Sequence, residues 1–242
     1  MSHIAWILAA LLLAFPAGAV PACDVPADFL TLPRPLFATA RALQSGTLRI
    51  LVLGSGSITG AGASTPESAW PVRLQAILAA RYPGRTVEVA VRGGRGITVI
   101  DHLALLQDAP ASQEPALVLW QAGTVEAVRG VDPDEMTEAM LSGLERIRSW
   151  GADTIIIDQQ FSRFLRAHTN IEPYREKLRL IAAGAGAPVF RRYDLMQYWV
   201  ESGALDLERT PSRQMPAAID TLNDCLARAL GALIIQGVTE AR

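Results

Sequence analysis

Apolar strand-like runs alternate with helix-like stretches along this chain, which predicts an α/β protein. The expected architecture is a single three-layer α/β/α domain around a mostly parallel, roughly five-stranded sheet. Three observations carry this. Runs such as Leu48-Arg49-Ile50-Leu51-Val52-Leu53, Ala116 to Trp120 and Thr154 to Ile157 are apolar almost throughout, as strands covered on both faces must be. The stretches between them place apolar residues three and four apart, the spacing of a helix face. The 242 residues also contain no internal repeat, low-complexity tract or charge run that would mark a second module.

The N-terminus stands apart. Ile4 to Phe15 is an apolar run closed by Pro16 and Ala17-Gly18-Ala19, which is the length and ending of a secretory signal and too short to span a bilayer comfortably. Residues 1–19 are therefore expected to be a signal peptide, cleaved near 19–22, leaving an exported (periplasmic or secreted) chain without a transmembrane segment. Val20-Pro21-Ala22-Cys23 loosely matches a lipobox, but Pro21 fits it poorly, so lipid anchoring at Cys23 is the weaker alternative. The chain has two cysteines, Cys23 and Cys225, and in an oxidising compartment an even pair predicts a disulfide. Residues 20–46, rich in Pro and polar breaks, read as an extended wrap, and 47–237 as the domain.

Within the domain, the strand at 48–53 stops at Gly54, and a loop of small residues runs to Thr65-Pro66-Glu67. A helix follows with Trp70, Leu74, Ile77 and Leu78 on one face, ending at Tyr82-Pro83-Gly84. Thr86 to Val91 is the second strand, then come the turn Arg92 to Gly96 and a helix through Leu106. The strand Ala116 to Trp120 precedes a helix opened by Asp132-Pro133, with Met136, Met140, Leu144 and Ile147 in register. Thr154 to Ile157 is the fourth strand, Asn170 to Ala183 a helix and Pro188 to Phe190 a short fifth strand. A helix over about Ala217 to Ile235 ends the domain. Ligand sites in such sheets lie beyond the C-terminal strand ends, which singles out 54–65, 92–97, 121–130, 158–169 and 191–216.

Charge and composition exclude several functions. With 22 basic and 24 acidic residues and a net charge of −2, there is no basic stripe for nucleic acid. Of three histidines, His3 lies in the leader, while His102 and His168 have no neighbouring ligand cluster, so no metal site is expected. No cofactor is expected either. The turn Gly54-Ser55-Gly56-Ser57-Ile58-Thr59-Gly60 could be a dinucleotide fingerprint, but Ala61 to Ser64 delays the helix that should follow at once. The second strand also ends at Val91-Arg92 rather than in an acid for a ribose.

Taken together the strand ends resemble another pattern. Arg49 to Ser57 is similar to the first block of the SGNH (GDSL-type) hydrolase family, where a Gly-Asp-Ser turn follows the first strand. Ala63-Ser64-Thr65-Pro66 with Trp70-Pro71-Val72-Arg73-Leu74 resembles the opening of its first helix. Val91-Arg92-Gly93-Gly94-Arg95-Gly96 resembles its second block, and Leu119 to Thr124 its third. Val189 to Tyr193 and Cys225 to Leu230 echo its last strand and final helix. The resemblance covers nearly the whole mature chain and implies a flavodoxin-like topology and serine ester hydrolysis of acyl or acetyl esters, glycan esters among them.

Carried over residue by residue, the resemblance leaves the chemistry incomplete. Such an enzyme needs a serine Oγ, a base for its proton, and donors for the oxyanion. Aligned without a gap, Ser55 stands at the family's Asp and Gly56 at its nucleophile. This alignment is preferred because it keeps Gly60 and Ala63-Ser64 in place. A one-residue shift would instead make Ser57 the nucleophile. Gly96 matches the oxyanion glycine, whereas Val125 stands at the oxyanion asparagine. The Asp–His pair falls on Gln214 and Ala217, leaving His168, in the loop after the fourth strand, as the candidate base. Gln121, Arg129, Gln159, Gln160, Arg163 and Arg166 give the expected cleft polar walls.

Two readings follow: a relative with lost or impaired catalysis that binds a small acyl ester or glycan ligand, or an active esterase using Ser57 with a non-standard base. A nicotinamide oxidoreductase and an envelope assembly partner are the remaining alternatives. Whether the chain is an enzyme, and its oligomeric state, stay open at this level.

Overall fold

The computed structural model describes residues 23–107 and 114–241; the expected signal peptide lies outside them. Five parallel strands form one sheet in the order β2-β1-β3-β4-β5. They are β1 (Thr47–Gly54), β2 (Thr86–Gly93), β3 (Leu117–Gln121), β4 (Asp153–Ile157) and β5 (Val189–Phe190). β3 and β4 are buried at every residue, which explains the apolar runs 117–120 and 155–157; the polar residues at their ends, Gln121, Asp153 and Thr154, are buried too. β2 is an edge strand with an alternating, more exposed pattern, and its Glu88 accepts from Arg49 of β1 at 3.1 Å, the two residues being register partners.

Nine helices among the described residues cover the sheet: α1 (Phe37–Ser45), α2 (Trp70–Arg81), α3 (Val99–Gln107), α4 (Thr124–Arg129), α5 (Pro133–Ser149), α6 (Arg163–His168), α7 (Glu172–Ala185), α8 (Arg192–Glu201) and α9 (Met215–Glu240). On one face α1, α2, α8 and α9 enclose a core that includes Leu48, Ile50, Trp70, Leu74, Trp199 and Leu230. On the other, α3, α5 and α7 enclose Leu53, Trp120, Met136, Met140, Ile156 and Leu178. The second core depends on one small residue. Trp120 is fully buried, and its ring lies so close to Gly143 of α5 that a Cβ there would fall 2.2 Å from it.

Local chemistry fixes the element ends. Asp132 caps α5 by accepting from the Asp134 N–H at 2.8 Å, with Pro133 at the first helical position. Gly130 and Gly186 end α4 and α7 in left-handed conformations.

Five expectations need correction. The segment 24–46 is not extended throughout: Ala38, Thr39, Ala40 and Leu43 are buried, so 37–45 closes into α1 and packs on the sheet and α9. The segments 121–130, 158–169 and 191–216, read as loops, contain α4, α6 and α8. Each is short, six to ten residues, and short helices lack the several turns of repeat that make periodicity visible. The final helix runs five residues beyond Ile235, to Glu240.

Cys23 and Cys225 form a disulfide, with Cα atoms 4.7 Å apart. Next to it, Trp199 Nε1 donates to the Asp24 carbonyl at 2.7 Å and Tyr198 Oη to the Asp24 carboxylate at 2.9 Å. The bridge and these bonds tie the N-terminal segment to α9 and α8 together.

Candidate active site

In the strand order, β1 lies between β2 and β3, so the chain reverses its winding direction between β1 and β3. Crevices in open parallel sheets form at such points, and the serines after β1 meet the end of β3 here. Gly54 ends β1 in close quarters, with Gly93 beside it. A Cβ on Gly93 would fall 2.0 Å from the Gly54 carbonyl, and its φ of +138° suits glycine alone. Ser55 is extended, and Gly56–Thr59 makes a single 3-10 turn closed by left-handed Gly60. The fully buried side chain of Ile58 anchors that turn.

The two serines share one partner. Ser57 Oγ donates to Gln121 Oε1 at 2.7 Å, and Gln121 Nε2 donates to Ser55 Oγ at 3.1 Å. Gln121 is buried at the end of β3, so its amide is fixed as a bridge. Arg192, at the start of α8, donates from Nη1 to Ser57 Oγ at 3.4 Å. The Ser57 proton is therefore aimed at an amide oxygen, which cannot take it up at neutral pH. Gly56 bears no hydroxyl, although a Cβ would be accommodated there, meeting its nearest neighbour at 3.6 Å.

His168 does not reach Ser57 as a base would. It ends α6 on the exposed surface, stacks on Phe164 with ring centroids 4.3 Å apart, and holds the Phe164 carbonyl through Nδ1 at 2.8 Å. His102 is the histidine that lies under the turn, and sequence reasoning gave it no part. Its Nδ1 accepts from Trp120 Nε1 at 3.0 Å. Because an indole nitrogen only donates, the ring proton sits on Nε2 and is directed at the Gly54 carbonyl, 3.3 Å away. Burial lowers its pKa to about 4, and with both nitrogens engaged it is a neutral strut rather than a base.

The oxyanion positions are equally uneven. Gly96 adopts a left-handed φ of +81° beside the Arg129 guanidinium. Val125, second residue of α4, lines a small recess with Ser55, Ile97, His102, Gln121 and Glu126 and offers no donor. Glu126 instead fastens the surrounding loops, accepting from the N–H groups of Gly123 and Val99, each at 2.7 Å. Gln214 and Ala217, where the resemblance would put an acid–base pair, are exposed. The carboxylate nearest that stretch is Asp220 of α9, which accepts from the Ser64 N–H at 3.0 Å and from the Ser64 hydroxyl.

Beside the serines, the ends of β4 and β5 carry buried charge. Asp158 accepts from the Tyr193 N–H at 2.9 Å; burial raises its pKa to about 7, while the nearby Arg192 guanidinium acts in the opposite direction. Burial also lowers Arg192 to about 10. Further along the same edge lies a cleft of about 230 Å³ lined by Gln160, Phe161, Met196, Trp199, Leu205 and Leu222, with Asp206 and Glu208 at its rim. Arg163 does not line this cleft as a free cation. Its Nη2 donates to both Asp206 oxygens at 2.8 and 2.9 Å, and its Nε pairs with Glu208 at 3.2 Å. Gln160 is held through its backbone by Thr124 Oγ1.

The profile of the non-GDSL lipase-like family matches residues 22–240. No curated protein sequence matches the chain. Among solved structures, TesA superposes with a TM-score of 0.56 at 22% identity, covering 75% of this chain and 99% of that one. The acetylxylan esterase Axe2 from Geobacillus stearothermophilus gives 0.55 at 20% identity, over 76% and 94%. A two-domain esterase, CEX, active on acetylated mannans, gives 0.68 at 16% identity, over 86% of this chain and 56% of that one. These likenesses establish the fold. They do not favour a dinucleotide site, and the turn after β1 leads into a 3-10 turn rather than a helix.

Proposed function

We propose, from the premise that the chain belongs to the non-GDSL lipase-like family of SGNH-type hydrolases, that it is an exported member with lost or strongly impaired ester hydrolysis that keeps its cleft for binding an acyl ester or an acylated glycan. The observation that carries this is the state of the turn after β1. The nucleophile position is Gly56, and the neighbouring Ser57 hydroxyl gives its proton to the Gln121 amide. An acyl transfer of this type begins with a base removing that proton, and no imidazole or carboxylate is hydrogen-bonded to Ser57 among the described residues. In triad hydrolases, removing the nucleophile or its base costs on the order of 10⁶ in kcat.

Binding remains feasible without that chemistry. The cleft is walled by aromatic and aliphatic side chains, which suit an acyl group, and its two rim carboxylates are balanced by Arg163 and Arg209, which favours a neutral ligand. The acetylated xylan and mannan named for two fold relatives motivate the glycan class. Export is supported by the leader-like residues 4–19 and by the Cys23–Cys225 bridge.

One contact favours the active alternative: Arg192 at 3.4 Å from Ser57 Oγ would stabilise an alkoxide. A single experiment separates the readings. The purified protein is treated with a fluorophosphonate probe and with p-nitrophenyl acetate, alongside Ser57→Ala and Gly56→Ser. We expect no labelling and no turnover above background in all three, including Gly56→Ser, whose Cβ is accommodated but whose new hydroxyl has no base. Labelling of the natural protein that disappears in Ser57→Ala would overturn the reading.

A further inference from the structure

At the opposite end of the sheet, where parallel-sheet loops ordinarily serve only to connect, lies a second cavity of about 280 Å³. Its walls are α1 and the residues before it, the end of α5, the beginning of β4 and the end of α7, and three arginines line it: Arg34, Arg41 and Arg148. All three are exposed. Among the described residues none of their guanidinium groups makes a hydrogen bond or an ion pair. Arg49, Arg73, Arg163, Arg175, Arg191, Arg209 and Arg228, by contrast, all pair with carboxylates.

Guanidinium groups gathered around one cavity repel one another, and the arrangement is relieved when an anion enters. One carboxylate lines the cavity, that of Asp153, and its Oδ2 is taken by the N–H and hydroxyl of Thr39, both at 2.8 Å. Three guanidiniums less one carboxylate leave two net positive charges. A carboxylate ligand would neutralise one of them, whereas a phosphate monoester carries close to two negative charges near neutral pH. Its oxygens also match the fork of the guanidinium, which binds phosphate through paired N–H groups. The cavity is larger than a bare phosphate needs, and the half-exposed Phe37 ring with Leu144, Ala185 and Ala187 gives an organic group a surface to cover.

We infer that the pocket formed by Arg34, Arg41 and Arg148 binds the phosphate monoester of a small organic molecule, at a site separate from the cleft beyond the C-terminal strand ends. The inference stands independently of whether that cleft is catalytic.

The test is isothermal titration of the purified protein with phenyl phosphate, inorganic phosphate and the neutral benzyl alcohol, in low salt and in 0.5 M NaCl. Phenyl phosphate should bind more tightly than inorganic phosphate, benzyl alcohol should not bind, and the affinity should fall by at least tenfold in high salt. Arg34→Ala, Arg41→Ala and Arg148→Ala should each weaken binding about tenfold or more without lowering the melting temperature, since all three side chains are exposed and unpaired. Failure of phenyl phosphate to bind, or binding that persists in the triple variant, would overturn the site. Inorganic phosphate binding as tightly as phenyl phosphate would overturn the monoester assignment.

Discussion

Removing the disulfide tests how the N-terminal segment is held. Cys23 and Cys225 are 202 residues apart in sequence, so the bridge closes a loop that is nearly the whole described chain. In the chain-entropy treatment, a loop of that length removes about 18 cal/mol/K from the unfolded state, or about 5 kcal/mol at 25 °C. Breaking the bridge also frees the segment whose Asp24 holds Trp199 and Tyr198, and each such hydrogen bond contributes about 1 kcal/mol. Residual structure in the reduced, unfolded chain works the other way, so the expected loss is about 3–5 kcal/mol. For a chain of this size, each kcal/mol moves the midpoint by about 2–4 °C, giving a fall of roughly 6–20 °C. The assay compares thermal and urea denaturation of the natural protein, oxidised and reduced, with the Cys23→Ser/Cys225→Ala double variant. The reduced protein and the variant should coincide at the lower midpoint. Midpoints within 1 °C of the oxidised protein, or peptide mapping that finds both thiols alkylated without reduction, would refute the reasoning.

Two further outcomes are expected from the cores. Gly143→Ala raises helix propensity by about 1 kcal/mol, yet it sets a Cβ against the buried Trp120 ring; a net loss of about 1–3 kcal/mol is expected from overpacking, read by urea denaturation, and a more stable variant would contradict the packing described. His102 should make stability fall on acidification. Its folded pKa is about 4 against 6.5 when unfolded, so between those values the unfolded chain takes up a proton that the folded one refuses. The stabilisation is complete above pH 6.5 and drops by roughly 3 kcal/mol as pH falls to 4. Asp158, held near 7, contributes the opposite slope across about pH 4 to 7. The quantity to read is therefore the difference between the natural protein and His102→Gln at pH 7.5 and 4.5, and an identical pH profile in both would rule the assignment out.

Much of the architecture was legible because its causes are local or periodic. The central strands are buried on both faces, so apolar residues fill them and the runs are visible. Asp132-Pro133 announces α5 because capping is short-range chemistry. The pairing of Cys23 with Cys225 followed from compartment and cysteine count alone. The short helices α4, α6 and α8 were missed because six to ten residues complete too few turns to show a repeat, and α1 because prolines upstream of it suggested extended chain.

The site divides in the same way. That Gly56, Val125, Gln214 and Ala217 bear no nucleophilic, oxyanion-binding or acid–base group of the expected kind is a property of side-chain identity legible in the sequence; that they occupy the catalytic positions is what the resemblance implies. The sequence by itself also determines the family, through the order of short blocks at strand ends. Which groups meet is another matter. Gln121 bridging Ser55 and Ser57, Arg192 reaching Ser57 from more than a hundred residues away, and His102 rather than His168 lying beneath the turn all depend on parallel strands bringing distant ends to one edge. Spacing along a chain carries no record of that edge, because each crossover helix discards the distance it spans; only the tertiary structure decided it.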